Sequence, residues 1–309
     1  MSASAPVLSV GPVVLAAPDR AVDLEIRVSA PVAGDSLPIL LLSHGQGPSN
    51  HLSSMHGYAP LVQRWAAHGF VVIQPTHLSS RTLDVPEPPG EALHWRSRVR
   101  DMSRILDRLD EVEAAVPQLA GRLDRAKVAV AGHSMGGHTA SMLLGARIAH
   151  PGDGAVVRMA DSRIKAGVLL AAPGAGGRDA LTDFVAEHYP FFLGADFTEM
   201  RTPALVVAGD ADSSAHLTVR GPSWHAEPHV LSPARTSLLT LFGAEHGLGG
   251  ISGYDVAETT DENPRRVAAV ADLTASYLRS ELIPGDQSWT RARARLAADP
   301  EPLGQIDSD

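Results

Sequence analysis

Three residue types able to share one reaction recur along this chain in the order Ser, Asp, His. Ser134 lies within Ala131-Gly132-His133-Ser134-Met135-Gly136-Gly137, between a Val- and Ala-rich run at Lys127–Ala131 and a helical pattern over Thr139–Ile148. The spacing Gly132-x-Ser134-x-Gly136 fits a sharp strand-to-helix turn. There a seryl hydroxyl stands clear of the sheet, and the flanking glycines keep side chains out of the neighbouring backbone. Asp212 follows Pro203–Ala208 in the turn Gly209-Asp210-Ala211-Asp212, and His246 follows Ser237–Phe242 in Gly243-Ala244-Glu245-His246-Gly247. A seryl hydroxyl is a poor nucleophile at neutral pH, so an imidazole must take its proton during attack and return it to the leaving group. His246 is the candidate base and Asp212 the candidate acid that holds its tautomer. Asp210, two residues earlier, is the competing acid, with capping of the local turn as its other role.

An anion formed by that attack needs two backbone donors. The helix beginning after Ser134 directs its first N–H groups there, so Met135 N–H is one candidate. The segment His44-Gly45-Gln46-Gly47, after the apolar run Pro38–Ser43, offers the second at Gln46.

These residues need a scaffold that brings distant strand ends together, and the remaining pattern supplies one. Apolar runs at Pro38–Ser43, Phe70–Gln74, Lys127–Ala131, Ala166–Ala172, Pro203–Ala208 and Ser237–Phe242 alternate with helical patterns at Tyr58–His68, Ala92–Val116 and Asn263–Leu282. Such alternation predicts a mostly parallel α/β sheet with helices on both faces. Two Val-rich segments, Val7–Leu15 and Val22–Val28, flank Pro18-Asp19 and predict an antiparallel N-terminal edge hairpin. One domain over 1–309 is expected. Leu78–Glu91, with three prolines and a glycine, is a long loop. Residues 176–200 hold five of the ten Phe and Tyr residues and suggest a cap or lid. Ala149–Arg163 reads as a polar connection, Ser213–Arg235 as a Pro- and His-rich loop, and the polar tail beyond Pro284 as only partly ordered.

Composition narrows the partners. The 309 residues carry 26 Lys and Arg against 35 Asp and Glu, a formal charge of −9, which disfavours nucleic acid or an anionic membrane as a partner. The densest basic cluster, Arg96-x-Arg98-x-Arg100, reads as a solvated helix face. No cysteine occurs, so disulfides, thiolate metal sites and a cysteine nucleophile are excluded. Neither a basic-then-apolar leader nor a membrane-length apolar run is seen, and a cytoplasmic location is expected. The histidines at 51, 56, 216, 225 and 229 show no tight ligand spacing, so no metal site is expected, and no cofactor.

From Pro38 to Leu282 the chain resembles the α/β-hydrolase superfamily, with the nucleophile elbow, the HGQG segment, the GDAD turn and the EHG segment in matching order. Ser43-His44-Gly45, the stretch Trp65–Gln74 and Pro75-Thr76-His77 are similar to the branch of platelet-activating-factor acetylhydrolases, chlorophyllase-like esterases and dienelactone-hydrolase-like proteins. Dienelactone hydrolases proper use a cysteine nucleophile, which is absent here. The GHSMGG segment also resembles bacterial cutinases and polyesterases, whose oxyanion loop carries an aromatic residue where Gln46 stands. The resemblance implies a cofactor-free serine hydrolase acting on a small or lipid-like carboxylic ester. A thioesterase, an amidase, a cofactor-free perhydrolase or a non-catalytic ligand-binding homologue is the alternative, and the oligomeric state is left open. His77, Trp95, His133, Phe191 and Trp224 are candidate pocket residues, with loop hydrogen bonding, orientation or core packing as their other readings.

Overall fold

The computed structural model describes residues 5–149, 154–253 and 256–308. Its main sheet is built from β1 (Val7–Leu15), β2 (Leu24–Pro31), β3 (Leu37–Ser43), β4 (Val71–Pro75) and β5 (Leu123–His133). Strands β6 (Arg147–Ala149) and β7 (Val156–Arg158) leave it, and β8 (Ile164–Leu170) resumes it. After the short β9 (Ala195–Asp196) come β10 (Ala204–Gly209), β11 (Thr236–Leu241) and β12 (Gly304–Ser308). The spatial order of the nine-stranded sheet is β1-β2-β4-β3-β5-β8-β10-β11-β12. The six strands from β4 to β11 run parallel, and both edges are antiparallel.

Although these strands read as continuous apolar runs, their residues divide with period two between the faces. Ile39, Leu41, Val128, Val130, Leu169 and Val206 join one core with α2 (Trp95–Asp107) and α4 (Met135–Leu144). Leu40, Leu42, Ala129, Ala131, Val168 and Leu205 join a second with α1 (Ala59–Ala67) and α7 (Pro264–Leu282). Burial on both faces is what excludes polar residues from the parallel strands. Asn263 caps α7, its side chain accepting from Arg266 N at 3.1 Å, with Pro264 in the first turn.

Several sequence expectations need correction. The helix expected over Ala92–Val116 begins at Trp95, because Leu93 and His94 adopt positive φ, and it breaks at Arg108 before α3 (Leu109–Ala115). The helix after Ser134 stops at Leu144, where Gly145 turns left-handed at φ 115°, and Arg147–Ala149 is strand rather than helix. The supposed polar connection supplies the last residue of β6 and all of β7, and β6 also pairs with β9 in a three-stranded sheet. This sheet anchors the aromatic segment, which folds as α5 (Asp183–His188) and a 3₁₀ turn over Pro190–Gly194. The Pro- and His-rich loop contains a 3₁₀ helix over Gly221–Ala226 and α6 (Glu227–Leu231). The tail beyond Pro284 is ordered as α8 (Ser288–Ala298) and β12, the latter paired antiparallel to β11 with Leu239 opposite Ile306. Its polarity reflects an edge strand and a half-exposed helix, not an absence of structure.

Arg98 overturns the solvated-face reading of its cluster, being fully buried. Arg96 instead lies over the Trp95 ring, 4.1 Å from its centroid. Among the described residues no helix is long and apolar enough to cross a membrane.

Candidate functional site

Three parallel strands of one sheet, β5, β10 and β11, with β8 between the first two, deliver the candidate residues to its carboxyl edge. Ser134 directly follows β5, Asp212 lies three residues beyond β10, and His246 lies five beyond β11. Ser134 holds φ 53° and ψ −121°, and its N–H still reaches Leu170 O at 2.9 Å. That conformation is unusual for a side-chain-bearing residue and is held by close packing. A Cβ on Gly132 would lie 1.9 Å from Gly136 O, and one on Gly136 would lie 2.0 Å from Ser43 O. Glycine is therefore required on both sides of the turn.

The Ser134 hydroxyl lies 2.8 Å from His246 Nε2, and His246 Nδ1 lies 2.8 Å from Asp212 Oδ2. A carboxylate only accepts, so Nδ1 carries the proton and Nε2 accepts from Ser134. Asp212 is buried, and Ser214 Oγ donates to its Oδ1 at 2.7 Å. Burial alone would raise the Asp212 pKa, but the hydrogen bond from His246, the nearby imidazoles and Ser214 bring it down to about 2. Asp210 makes no contact with His246. Its carboxylate accepts from Gly243 N at 2.6 Å and so ties the turn after β10 to the turn after β11.

His133 orients the neighbouring loops. Its Nε2 donates to His246 O at 2.8 Å, and its Nδ1 accepts from Tyr58 OH at 2.9 Å. Tyr58 OH in turn accepts from Gly45 N at 2.9 Å. Burial, then the charge of His246, pushes His133 down to about 3, which keeps its ring neutral and this chain of donors fixed. Met135 is the first residue of α4, so its N–H has no intrahelical acceptor. Among the described residues Gln46 N–H likewise has no partner, while Gln46 Nε2 donates to Ser79 O at 3.0 Å. Beneath this loop the buried Arg98 donates to His44 O, to Ser79 Oγ at 2.6 Å and to Thr139 Oγ1 on α4 at 3.1 Å. One guanidinium thus ties together the two segments that bear the free N–H groups.

Gln46, His133, Ser134, Met135 and His246 line a cleft of about 510 Å³. Leu93, Phe184, Tyr189, Phe192 and Leu217 add apolar surface to its lining. Of the candidate pocket residues only His133 lines it. His77 is fully buried elsewhere, bonded to Ser43 Oγ at 3.0 Å and Asp101 Oδ2 at 2.9 Å. Trp95 and Phe191 stack on each other in the core with centroids 5.5 Å apart, and Trp224 is buried with its indole N–H on Ala175 O at 3.0 Å. Phe192, adjacent to Phe191, faces the cleft in its place because the 3₁₀ turn sends neighbouring side chains in different directions.

Sequence reading also missed His225. A loop histidine without ligand spacing along the chain, it comes within 3.2 Å of Asp212 Oδ2. Burial pushes its pKa below the usual imidazole value, against the raising effect of Asp212. Asp212, His225 and His246 are the group of possible metal ligands that converge among the described residues, within 4.8 Å of one another.

Comparison with known proteins fits this architecture. A profile of the Alpha/beta hydrolase family matches residues 39–305, most of the chain. The chain belongs to the alpha/beta hydrolase family. Within that family it is similar to Cutinase 2 of Thermobifida cellulosilytica, 30% identical over 189 residues, which cover 60% of this chain and 53% of that protein. It is also 30% identical to Cutinase cut1 of Thermobifida fusca over 189 residues, 60% of this chain and 44% of that protein. The match thus spans about half the length of these curated relatives. Among solved structures, an esterase from Pyrobaculum calidifontis superposes with a TM-score of 0.56 at 18% identity, covering 89% of this chain and 85% of that one. At that identity the likeness concerns the alpha/beta hydrolase fold alone.

Proposed function

We propose that this chain is a cofactor-independent serine hydrolase that cleaves carboxylic esters through an acyl-enzyme, with Ser134 as nucleophile, His246 as general base and acid, and Asp212 as the orienting carboxylate. The observation that carries the reading is the unbroken chain Ser134–His246–Asp212, with 2.8 Å at each link, opening into an apolar cleft. Similarity to cutinases and the family's fold support the ester as substrate.

In this reading His246 Nε2 takes the Ser134 proton as Oγ attacks the ester carbonyl. The N–H groups of Met135 and Gln46 hold the oxyanion, and Arg98 keeps their two segments in register. The imidazolium then protonates the leaving alkoxide. Water, deprotonated by the same ring, releases the acid from Ser134. Asp212, ionised at every physiological pH, stabilises the imidazolium in both halves. The segment of α5 and the turn after it acts as a lid whose Phe184, Tyr189 and Phe192 receive an apolar portion of the ester. Membership of the branch of platelet-activating-factor acetylhydrolases and chlorophyllase-like esterases, and a cytoplasmic location, belong to the same proposal.

Steady-state hydrolysis of p-nitrophenyl esters from acetyl to palmitoyl, run on the wild type and Ser134→Ala, tests it. Turnover confined to the wild type is expected, and its chain-length optimum sizes the apolar lining. Equal rates in a folded Ser134→Ala protein would overturn it. Absence of ester hydrolysis with Ser134 still labelled by a fluorophosphonate would redirect the substrate to thioesters or amides.

A further inference from the structure

We propose that Asp212, His225 and His246 form a binding site for a d-block divalent cation, Zn²⁺ above all, and that its occupancy switches the triad off. The inference rests on the reading of Ser134, His246 and Asp212 as the reacting set. Its starting point is a lone pair with no partner. His225 sits in the Gly221–Ala226 turn and is fully buried. Its Nδ1 lies 2.8 Å from Ala172 O. A carbonyl oxygen only accepts, so the ring proton is on Nδ1 and the neutral ring presents a bare lone pair at Nε2. That atom makes no hydrogen bond and lies 3.2 Å from Asp212 Oδ2. Two electron-rich atoms facing each other away from water repel unless a positive species lies between them.

The third ligand is already in place. His246 Nδ1 is 2.8 Å from the same Asp212 oxygen. In a tetrahedral zinc site, with metal–ligand bonds of about 2.0–2.2 Å, neighbouring ligand atoms stand about 3.3 Å apart. The two separations from Asp212 need an adjustment of about half an ångström or less, and the three ligand atoms all lie within 4.8 Å of one another. Ser214 Oγ, 3.3 Å from His246 Nδ1, marks the side from which an oxygen completes four ligands. Two imidazoles and a carboxylate select Zn²⁺ or Co²⁺ over Mg²⁺ or Ca²⁺. His246 has a side chain 31% exposed and provides the entry, since the other two ligands are closed to solvent.

Binding exchanges one bond for another. The Nδ1–H bond of His246 breaks and its proton passes through solvent to Nε2, the metal–Nδ1 bond forms on the freed lone pair, and the ion sheds water; nothing is oxidised or reduced. The hydrogen bond between Asp212 and His246 is lost. With its proton now on Nε2 and the cation on Nδ1, the ring can only donate toward Ser134 and no longer accepts the Ser134 proton.

The test uses the full chain, stripped with EDTA, hydrolysing p-nitrophenyl butyrate at pH 7.5 while Zn²⁺ is titrated. A loss of rate of tenfold or more is expected, reversed by EDTA, weaker at pH 6 because protons compete for the ligands, and absent with Mg²⁺. In parallel, Co²⁺ added to Ser134→Ala is expected to give the visible absorption of a four-coordinate site. That readout is independent of turnover, so failure of the ester reading leaves it standing. His225→Gln, with His225→Ala as a second variant, loses both responses tenfold or more, whereas His216→Ala at the cleft keeps them. Should neither variant at 225 fold, the nitrogen hyperfine pattern of bound Cu²⁺ decides: two imidazoles support the site, and one or none overturns it. A wild-type rate indifferent to Zn²⁺ with no Co²⁺ spectrum overturns it, as does an equal response in a folded His225→Gln protein.

Discussion

Two Ser-His-Asp chains lie among the described residues, and the contrast between them shows what the arrangement alone does not supply. Ser134, His246 and Asp212 are joined at 2.8 and 2.8 Å. Ser43, His77 and Asp101 are joined at 3.0 and 2.9 Å, with the same ring nitrogens facing the hydroxyl and the carboxylate. The surroundings differ. Ser43 ends a regular strand and is fully buried, and Arg98 donates to its Oγ at 3.4 Å. Asp101 is ion-paired to Arg20 at 3.0 Å. Ser134 instead occupies a strained turn at the floor of a cleft, beside two N–H groups without partners. A hydroxyl, imidazole and carboxylate in line become a reactive set only where substrate has room and the developing charge has donors. The buried set is a brace. It fixes the loop that carries Gln46, one of the residues lining the cleft.

The carboxylates titrate in opposite senses. Asp212 is driven down to about 2 because its partners outweigh its burial. Asp101 is pushed up to about 6, burial outweighing the opposing effect of Arg20. Burial also holds His77 well below the usual imidazole range, followed in effect by the charges of Arg98 and Arg20.

The largest effect is expected from serine replacement. Ser134→Ala should lower kcat on p-nitrophenyl esters by on the order of a millionfold with an unchanged melting curve. Ser43→Ala should keep turnover within about tenfold yet lose about 1–3 kcal/mol of stability to urea, since His77 and Arg98 forfeit a buried partner. Exchange of these outcomes would reverse the roles of the two chains. The acids come next. Asp212→Asn should lower kcat about 10⁴-fold by favouring the wrong tautomer of His246. Asp101→Asn should instead cost about 1–3 kcal/mol in denaturant, since an amide has one oxygen to accept from Arg20 and His77 where the carboxylate has two. Asp210→Asn should lower kcat less than tenfold, and a larger loss there would move the acid role to the turn.

A smaller effect is expected for Arg98→Met, which should lower kcat more than it raises KM, as the two oxyanion segments lose their common tie. The smallest lies in the pH dependence of stability. Asp212, lowered from 3.8, contributes stability that is present above about pH 4 and lost as pH falls toward 2. Asp101, raised from 3.8, contributes stability that is present below about pH 4 and lost as pH rises through 6. Chemical denaturation from pH 2 to 7 should show the acid limb flattened in Asp212→Asn and the pH 4–6 slope flattened in Asp101→Asn.

Much of the site was legible because its signals are local. The Gly132-Ser134-Gly136 spacing, the apolar strand before it and the turns holding Asp212 and His246 are all consequences of backbone geometry at strand ends. The choice of Asp212 over Asp210 was legible only as a preference, since it depends on which carboxylate holds the turn after β10 to the turn after β11. Pocket residues were the weakest reading. Phe191 and Phe192 have the same chemistry, and which one faces the cleft depends on the phase of a short turn anchored by β6 and β9. His77 was singled out at a strand end, yet nothing in its neighbours announces Asp101, 24 residues away.

By itself the sequence determined the parallel sheet, the strained turn and the order Ser, Asp, His, because period-two burial and glycine requirements act within a few residues. Tertiary structure alone decided the rest. It made β12 an edge strand out of a polar tail, buried Arg98 under the loop that carries Gln46, and set His225 against Asp212. Each of those outcomes depends on what a side chain meets across the fold, and burial turns a charge or a lone pair into a demand that only a distant partner satisfies.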